Sequence, residues 1–251
     1  MVSLATRLRS PLIIGSLTAG LFCMLTSMVA AEDLRPGVIG EDNRVTVQTD
    51  QSPWDAIGHV NIAGYRTVSK CSGVLIRPNV VLTAAHCLLD PRTRREVSAD
   101  RVHFLLGVNG GEWKAHSMAK CLLFPQTDQR RTPITPDIAA IVLTENLHSR
   151  PVQTTMVAEP QSGMALVHAS YPADHRYRLS ADLQCRLVRA FPTIWFTNCD
   201  THPASSGGPV FTNSNGRLQL AGIIVGTTDH RYTIAVPSTA WTALIQNIEC
   251  H

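Results

Sequence analysis

Between residues 58 and 236 the chain is a succession of short apolar runs, rich in β-branched residues and separated by turn residues, and no helical period holds there. Gly58–Ile62, Gly73–Ile76, Val80–Thr83, Val102–Val108 and Ile138–Leu143 are such runs in the first half. Ala165–Ala169, Ile194–Thr197, Leu218–Val225 and Thr233–Val236 continue the series in the second. Runs of about four to eight residues are strand length, and many of them at regular spacing predict an all-β sandwich or barrel. Asn215-Gly216 stands between Pro209–Phe211 and Leu218–Val225 and predicts a tight hairpin, because both turn positions need φ > 0. From Ser238 the period changes. Trp241, Leu244, Ile245 and Ile248 fall on one helical face, with Ser238 or Thr239 as the expected N-cap of a terminal helix. The polar, proline-containing stretch Glu145–Gly163 is the best internal boundary.

Hydrophobic residues make up 44% of the 251 and charged residues 16%, enough apolar side chain for a sizeable core and too little charge for a disordered chain. The formal net charge is +3, and two of its arginines, Arg7 and Arg9, lie in a first 31 residues that contain no acid. The rest is close to neutral, which excludes a nucleic-acid binder that relies on bulk charge. Arg7 and Arg9 read as a basic n-region, Leu12–Val29 as the apolar or small segment behind it, and Val29-Ala30-Ala31 as a small-residue exit before Glu32 and Asp33. Residues 1–31 are therefore expected to be a cleaved signal peptide that takes Cys23 with it, leaving no stable membrane anchor. Residues 32–37 are a candidate pro-segment, and the mature protein is expected to be secreted or periplasmic.

Six cysteines then remain: Cys71, Cys87, Cys121, Cys185, Cys199 and Cys250. An even number in an exported chain points to disulfides, and six cysteines allow 15 pairings. A metal site is not expected. No Cys-x-x-Cys occurs, and His86 beside Cys87 lacks further ligands at zinc-site spacing.

Three segments carry chemistry together. Thr83-Ala84-Ala85-His86-Cys87 follows a strand; Asp137 opens the apolar run Ile138–Leu143; Ser205-Ser206-Gly207-Gly208-Pro209 precedes another strand. A serine hydroxyl becomes a nucleophile when an imidazole takes its proton, and a carboxylate behind the ring fixes the tautomer and stabilises the cation. Glycines after the serine let the backbone turn and let a substrate approach. Each segment alone is ordinary; the three in the order His, Asp, Ser on an exported β-rich chain are not.

These residues resemble the chymotrypsin/trypsin family of serine proteases: T-A-A-H-C at Thr83–Cys87, a D-I-A-type strand at Asp137–Ile141, and a G-D-S-G-G-P-type motif at Ala204–Pro209. Val38-Ile39-Gly40-Glu41, Pro53-Trp54-Asp55-Ala56-Ile57-Gly58, Cys71–Ile76 and Cys199-Asp200-Thr201 are similar to the bacterial glutamyl-endopeptidase-like branch. The resemblance implies two antiparallel six-stranded β-barrels with the site between them. The barrels would span 38–148 and 164–251, the second with the terminal α-helix, joined by a linker at 149–163. It implies His86 as general base, Asp137 as its orienting partner, Ser206 as nucleophile, and the N–H groups of Ala204 and Ser206 as the oxyanion hole. It implies disulfides Cys71–Cys87 and Cys185–Cys199, which leaves Cys121–Cys250 as the third. The implied activity is that of a serine endopeptidase acting on protein or peptide substrates through an acyl-enzyme, as a monomer, with no cofactor, metal or nucleic acid. A catalytically weak or inactive protease fold used for binding is the rival.

Three positions depart from the family pattern. Ser205 stands where the family has Asp, Ala204 where it has the oxyanion Gly, and Ile224 where the glutamyl branch has a specificity His. Asp200, six residues before Ser206, either sits at the base of the primary pocket, with Ile224 on its wall, or caps a turn beside Cys199. His202, four residues before Ser206, either lines the pocket or faces water, the second being the expectation, and Arg130-Arg131 are expected to form a solvated loop tip.

Overall fold

A computed structural model describes residues 35–62, 71–125, 136–228 and 231–250. The expected signal segment, Cys23 and Arg130-Arg131 lie outside these residues. Among the described residues no helix is long and apolar enough to cross a membrane.

Six strands close a first antiparallel barrel: β2 (Ile57–Ile62), β3 (Cys71–Arg77), β4 (Val80–Thr83), β5 (Val102–Leu106), β6 (Ala115–Leu123) and β7 (Ala139–Leu143), in the order β2-β3-β4-β7-β6-β5. β2, β4 and β7 are buried along their whole length. Val74, Leu82, Phe104 and Ile141 are among the fully buried side chains that fill this half.

The second half departs from a closed six-stranded barrel. β1 (Arg44–Thr46), β8 (Val167–Ser170), β9 (Ser180–Asp182), β10 (Leu187–Ala190), β11 (Trp195–Thr197), β12 (Pro209–Ser214), β13 (Arg217–Thr228) and β14 (Tyr232–Pro237) form an eight-stranded sheet in the order β1-β9-β8-β12-β13-β14-β11-β10. The sheet curls until the lead-in to β8 meets the lead-in to β10 through one bridge, Ala165 to Arg186, flanked by Leu166 N–H to the Cys185 carbonyl at 2.8 Å. A short patch of pairing thus does the work of a full ladder. β12 and β13 are joined by Asn215 and Gly216, with φ of 53° and 78°, the two positive values a type I′ turn requires.

The linker is part of both halves. Val152 N–H donates to the Leu75 carbonyl at 3.0 Å, and Gln153 and Thr155 exchange backbone hydrogen bonds with Leu220. One apolar cluster runs from Val74 and Phe104 to Phe211, Ile223 and Trp241, so the halves share a core. The terminal helix is shorter than its periodicity predicts. A 3₁₀ turn (Ser238–Ala240) leads into α1 (Thr242–Gln246). Neither expected cap serves: Ser238 Oγ donates to the Thr155 carbonyl at 2.6 Å and Thr239 Oγ1 to Pro192 at 3.3 Å. Buried Trp241 and the bond Cys121–Cys250 hold the segment instead. All three disulfides have the expected pairings.

Two buried histidines set an acid limit on stability. Burial pushes the rings of His59 and His168 down from the usual 6.5 to about 4. A depressed folded pKa means that the unfolded chain takes up protons first as pH falls. Stability is full above about pH 6.5 and is lost progressively toward pH 4, by roughly 2–3 kcal/mol per ring. Thermal melts from pH 7 to pH 4 are expected to fall steadily through this window; a flat melting temperature would contradict the neutral burial of both rings.

Candidate active site

β4 ends at Thr83, Ala84 continues extended (φ −71°, ψ 141°), and a 3₁₀ turn (Ala85–Leu88) then carries His86 away from the barrel wall. The Cys71–Cys87 bond pins this turn to the start of β3. β7 pairs with β4 so that Ala139 faces Thr83, which brings Asp137, two residues earlier, beside the turn. Both carboxylate oxygens are spent on one residue. Asp137 Oδ2 lies 2.7 Å from His86 Nδ1, and Oδ1 accepts the His86 backbone N–H at 2.8 Å. With the Nδ1 hydrogen on the carboxylate, Nε2 is the nitrogen left to act as a base. Burial alone would raise the Asp137 carboxyl, but the hydrogen bond and charge of His86 outweigh it and hold the group below its usual value.

The Ser206 segment lies between Cys199 and β12 as a series of tight turns. Ser205 N–H donates to the His202 carbonyl at 2.9 Å, and Ala204, third residue of that turn, takes φ 78°. A proline second and a positive φ third define a type II turn, which favours glycine at the third place. Ala204 therefore carries strain of roughly 1 kcal/mol. The middle peptide of the turn is held by its carbonyl: Pro203 O accepts the Ala173 N–H at 2.7 Å. Gly207 follows with φ 85°, and a Cβ there would collide with the Ser72 carbonyl and the Thr83 hydroxyl. The first half of the molecule grips the segment through Ser72, whose N–H donates to Ser206 O at 2.8 Å and whose Oγ donates to Ala204 O at 3.1 Å.

Ser206 and His86 both adjoin Cys87. The Ser206 carbonyl oxygen is 3.9 Å from Cys87 Sγ, which is itself 3.8 Å from His86 Nε2. Among the described residues no hydrogen bond joins the Ser206 hydroxyl to His86, and the N–H groups of Ala204 and Ser206 donate to no protein acceptor. Cys71, His86 and Cys87 place three potential metal-ligating atoms within 4.8 Å, but both sulfurs are committed to the disulfide, so the group offers an ion a single imidazole.

Beside Ser206 lies a cleft of ≈ 110 Å³ walled by Gly37, Thr201, His202, Ile224 and Thr227. Ile224 is buried and lines this cleft. Asp200 is not at the base of this cleft. It is fully buried and turned toward the N-terminal strap, where it accepts the N–H groups of Ile39 and Asn43 at 2.8 Å each and Asn43 Nδ2 at 3.1 Å. The strap explains the difference: its backbone donors need an acceptor inside the fold, and Asp200 supplies both oxygens. His202 corrects the expectation of a water-facing ring. It lines the cleft with Nδ1 3.6 Å from Asp174 Oδ1, and burial lowers its pKa despite that carboxylate. A roomier groove of ≈ 970 Å³, lined by Asp55, Lys114, Glu145 and Arg150, lies on the first half and contains none of these groups.

Sequence reasoning did not single out Ser72 or Ala173. Ala173 acts through its main-chain N–H, which leaves no residue-type signature; for Ser72, which uses both its N–H and its hydroxyl, the position between Cys71 and Gly73 in a motif already quoted was the available signal.

A family described as the trypsin-like peptidase domain matches residues 71–223. The chain is 26% identical over 201 residues to glutamyl endopeptidase of Bacillus licheniformis, covering 74% of this chain and 58% of that protein. It is 33% identical over 180 residues to chymotrypsin-like elastase family member 1 of Macaca fascicularis, covering 61% and 66%. The chain thus spans less than two thirds of the length of these relatives. Among solved structures, a Glu endopeptidase in complex with MPD shares the fold at a TM-score of 0.71 and 21% identity, over 83% of this chain and 97% of that one. The VesB protease of Vibrio cholerae does so at 0.64 and 17%, over 83% and 67%.

Proposed function

The chain belongs to the trypsin-like peptidase domain family, and from that premise we propose that it is a serine endopeptidase that cleaves peptide bonds through an acyl-enzyme. The observation that carries the reading is the oriented pair His86–Asp137, brought next to the Ser206 segment at Cys87, with the N–H groups of Ala204 and Ser206 uncommitted there. His86 Nε2 takes the Ser206 hydroxyl proton as Oγ attacks the substrate carbonyl. Asp137 stabilises the imidazolium and keeps its Nδ1–H in place. The N–H groups of Ala204 and Ser206 hold the oxyanion. The imidazolium then protonates the departing amine, and water repeats the sequence to release the acyl group. The hydroxyl-to-imidazole bond forms as substrate fills the cleft, since such bonds often tighten only in the complex.

The N-terminal reading belongs to the same proposal: residues 1–31 direct export and are removed, and the three disulfides suit the oxidising space outside the cytoplasm. A second reading, a protease fold with little turnover, draws on the strained Ala204. Labelling with a serine-directed fluorophosphonate and mapping the modified peptide separates the two. Modification at Ser206 supports the enzyme; an unlabelled, folded protein rejects it.

The cleft gives an expected substrate preference. Asp200 is spent on the strap and Ile224 is apolar, so no fixed charge faces the bound side chain. On a peptide library, small uncharged residues before the cut are expected to exceed Arg and Lys by about tenfold or more in kcat/KM. A preference for Arg or Lys would show that Asp200 is reached after all.

A further inference from the structure

Beside the Ser206 segment three buried polar side chains stand in line, the last of which, Ser205, also borders the cleft. His168, Ser170 and Ser205 are each no more than 2% exposed. The Ser205 hydroxyl oxygen accepts the His202 backbone N–H at 3.1 Å, closing the same turn that Ser205 N–H closes in the other direction. Ser170 Oγ lies 2.9 Å from Ser205 Oγ and 3.1 Å from His168 Nε2. His168 Nδ1 lies 3.0 Å from the Pro209 carbonyl. That oxygen can only accept, so Nδ1 carries a hydrogen; Nε2 of the neutral ring then accepts the Ser170 hydroxyl, and Ser170 Oγ in turn accepts the Ser205 hydroxyl. The ring thus spans from the first residue of β12 to the Ser170 hydroxyl. It also packs on the backbone that follows Ser206: a Cβ on Gly208 would come within 2.8 Å of His168 Cε1.

We propose that Ser170 and His168 are positioning residues for the turn that presents the Ala204 and Ser206 N–H groups, acting through the hydroxyl of Ser205. Buried polar groups are costly unless every one is matched, and a matched chain is rigid. His168 fixes where the Ser170 oxygen stands, Ser170 fixes Ser205 Oγ, and Ser205 ties down the turn at His202. The chain is anchored at the Pro209 carbonyl at one end and at the His202 N–H at the other. Ser72, from the first half, holds the same segment through the Ala204 and Ser206 carbonyls and accepts the Tyr171 N–H next to Ser170 at 2.9 Å, so the segment is held from both halves of the molecule. This inference rests on the serine-protease reading, because it assigns these groups a task in that chemistry.

The test is the rate of phosphonylation of Ser206 by a fluorophosphonate, resolved into kinact and KI, with thermal melts run in parallel. Ser205→Ala and Ser170→Ala are each expected to lower kinact about tenfold with KI nearly unchanged, since small misplacements of a reacting geometry cost rate rather than binding. The double variant is expected to be no slower than the worse single one. His168→Asn keeps an amide for the Pro209 carbonyl but falls short of Ser170, and is expected to match Ser170→Ala. His168→Gln reaches toward Ser170 and is expected to recover most of the rate. Full kinact in Ser170→Ala and Ser205→Ala overturns the proposal. So do multiplying losses in the double variant, equal rates for Asn and Gln, or a kinact that merely tracks melting temperature. Wild-type protein that folds and is never labelled overturns the serine-protease reading itself, and this inference with it.

Discussion

Ser206→Ala, and separately His86→Ala, are expected to abolish peptide hydrolysis, each by roughly 10⁴-fold to 10⁶-fold in kcat, while the protein stays folded. The fold has little stake in either side chain. His86 is a third exposed, and its ring has one strong partner, the Asp137 carboxylate. Removing the ring leaves Asp137 still accepting the backbone N–H of residue 86, so no buried charge is stranded without a donor. Ser206 is held through its carbonyl oxygen, which Ala keeps. The losses are not expected to multiply, because a base without its nucleophile and a nucleophile without its base are equally idle. The residual rate then comes from the N–H pair and from substrate binding. Assays on one peptide, with melting curves for each variant, decide the matter. Full turnover in Ser206→Ala together with its loss in Ser205→Ala would move the nucleophile by one residue and dismantle the assignment.

The sequence made some of this legible because local chemistry and global fold agree there. Val80–Thr83 is a strand to the residue, and Asn215-Gly216 is the hairpin turn its composition demands. Strand β6 (Ala115–Leu123) escaped notice: the side chains it buries most deeply are Ser117 and Ala119, too small or too polar to draw an alternating pattern. β1, β9 and β10 are three or four residues long and exist by virtue of their neighbours in the sheet. The terminal helix shows the opposite error. The apolar positions 241, 244, 245 and 248 do meet the core, but a disulfide at Cys250 and a 3₁₀ entry take the place of helical turns. At the site, side chains with distinctive chemistry drew attention to His86, Asp137 and Ser206, and the structure pairs the first two directly. Asp200 was misleading, because its neighbour in space is a strap 157 to 161 residues away.

Ala173→Pro is expected to lower kcat/KM by about 10²-fold to 10³-fold, the effect of losing one oxyanion donor. Ala173 opens a 3₁₀ turn (Ala173–His175), and Pro172 before it has φ −70° and ψ 154°. Proline is tolerated at a first helical position, and an extended residue before it is what it requires. The substitution therefore removes one N–H with little other disturbance, and that N–H is the donor that holds the Pro203 carbonyl at 2.7 Å. Type I and type II turns differ by rotation of the middle peptide, here Pro203–Ala204, whose N–H is the one the proposed mechanism gives to the oxyanion. Ala204 at φ 78° would relax by turning that peptide over, which takes its N–H away from the oxyanion and brings the Pro203 carbonyl in. The Ala173 bond is what opposes the turnover. With the bond gone, strain of roughly 1 kcal/mol and the lost hydrogen bond act in the same direction. Glycine at 204 carries no such strain, so Ala204→Gly is expected to recover most of the loss in the Ala173→Pro background. In the native background it is expected to raise kcat/KM by no more than about tenfold. This coupling distinguishes a held peptide from a damaged loop. A loop disturbed by proline would stay slow with glycine at 204, and an Ala173→Pro protein of native activity would show that the peptide keeps its orientation without help.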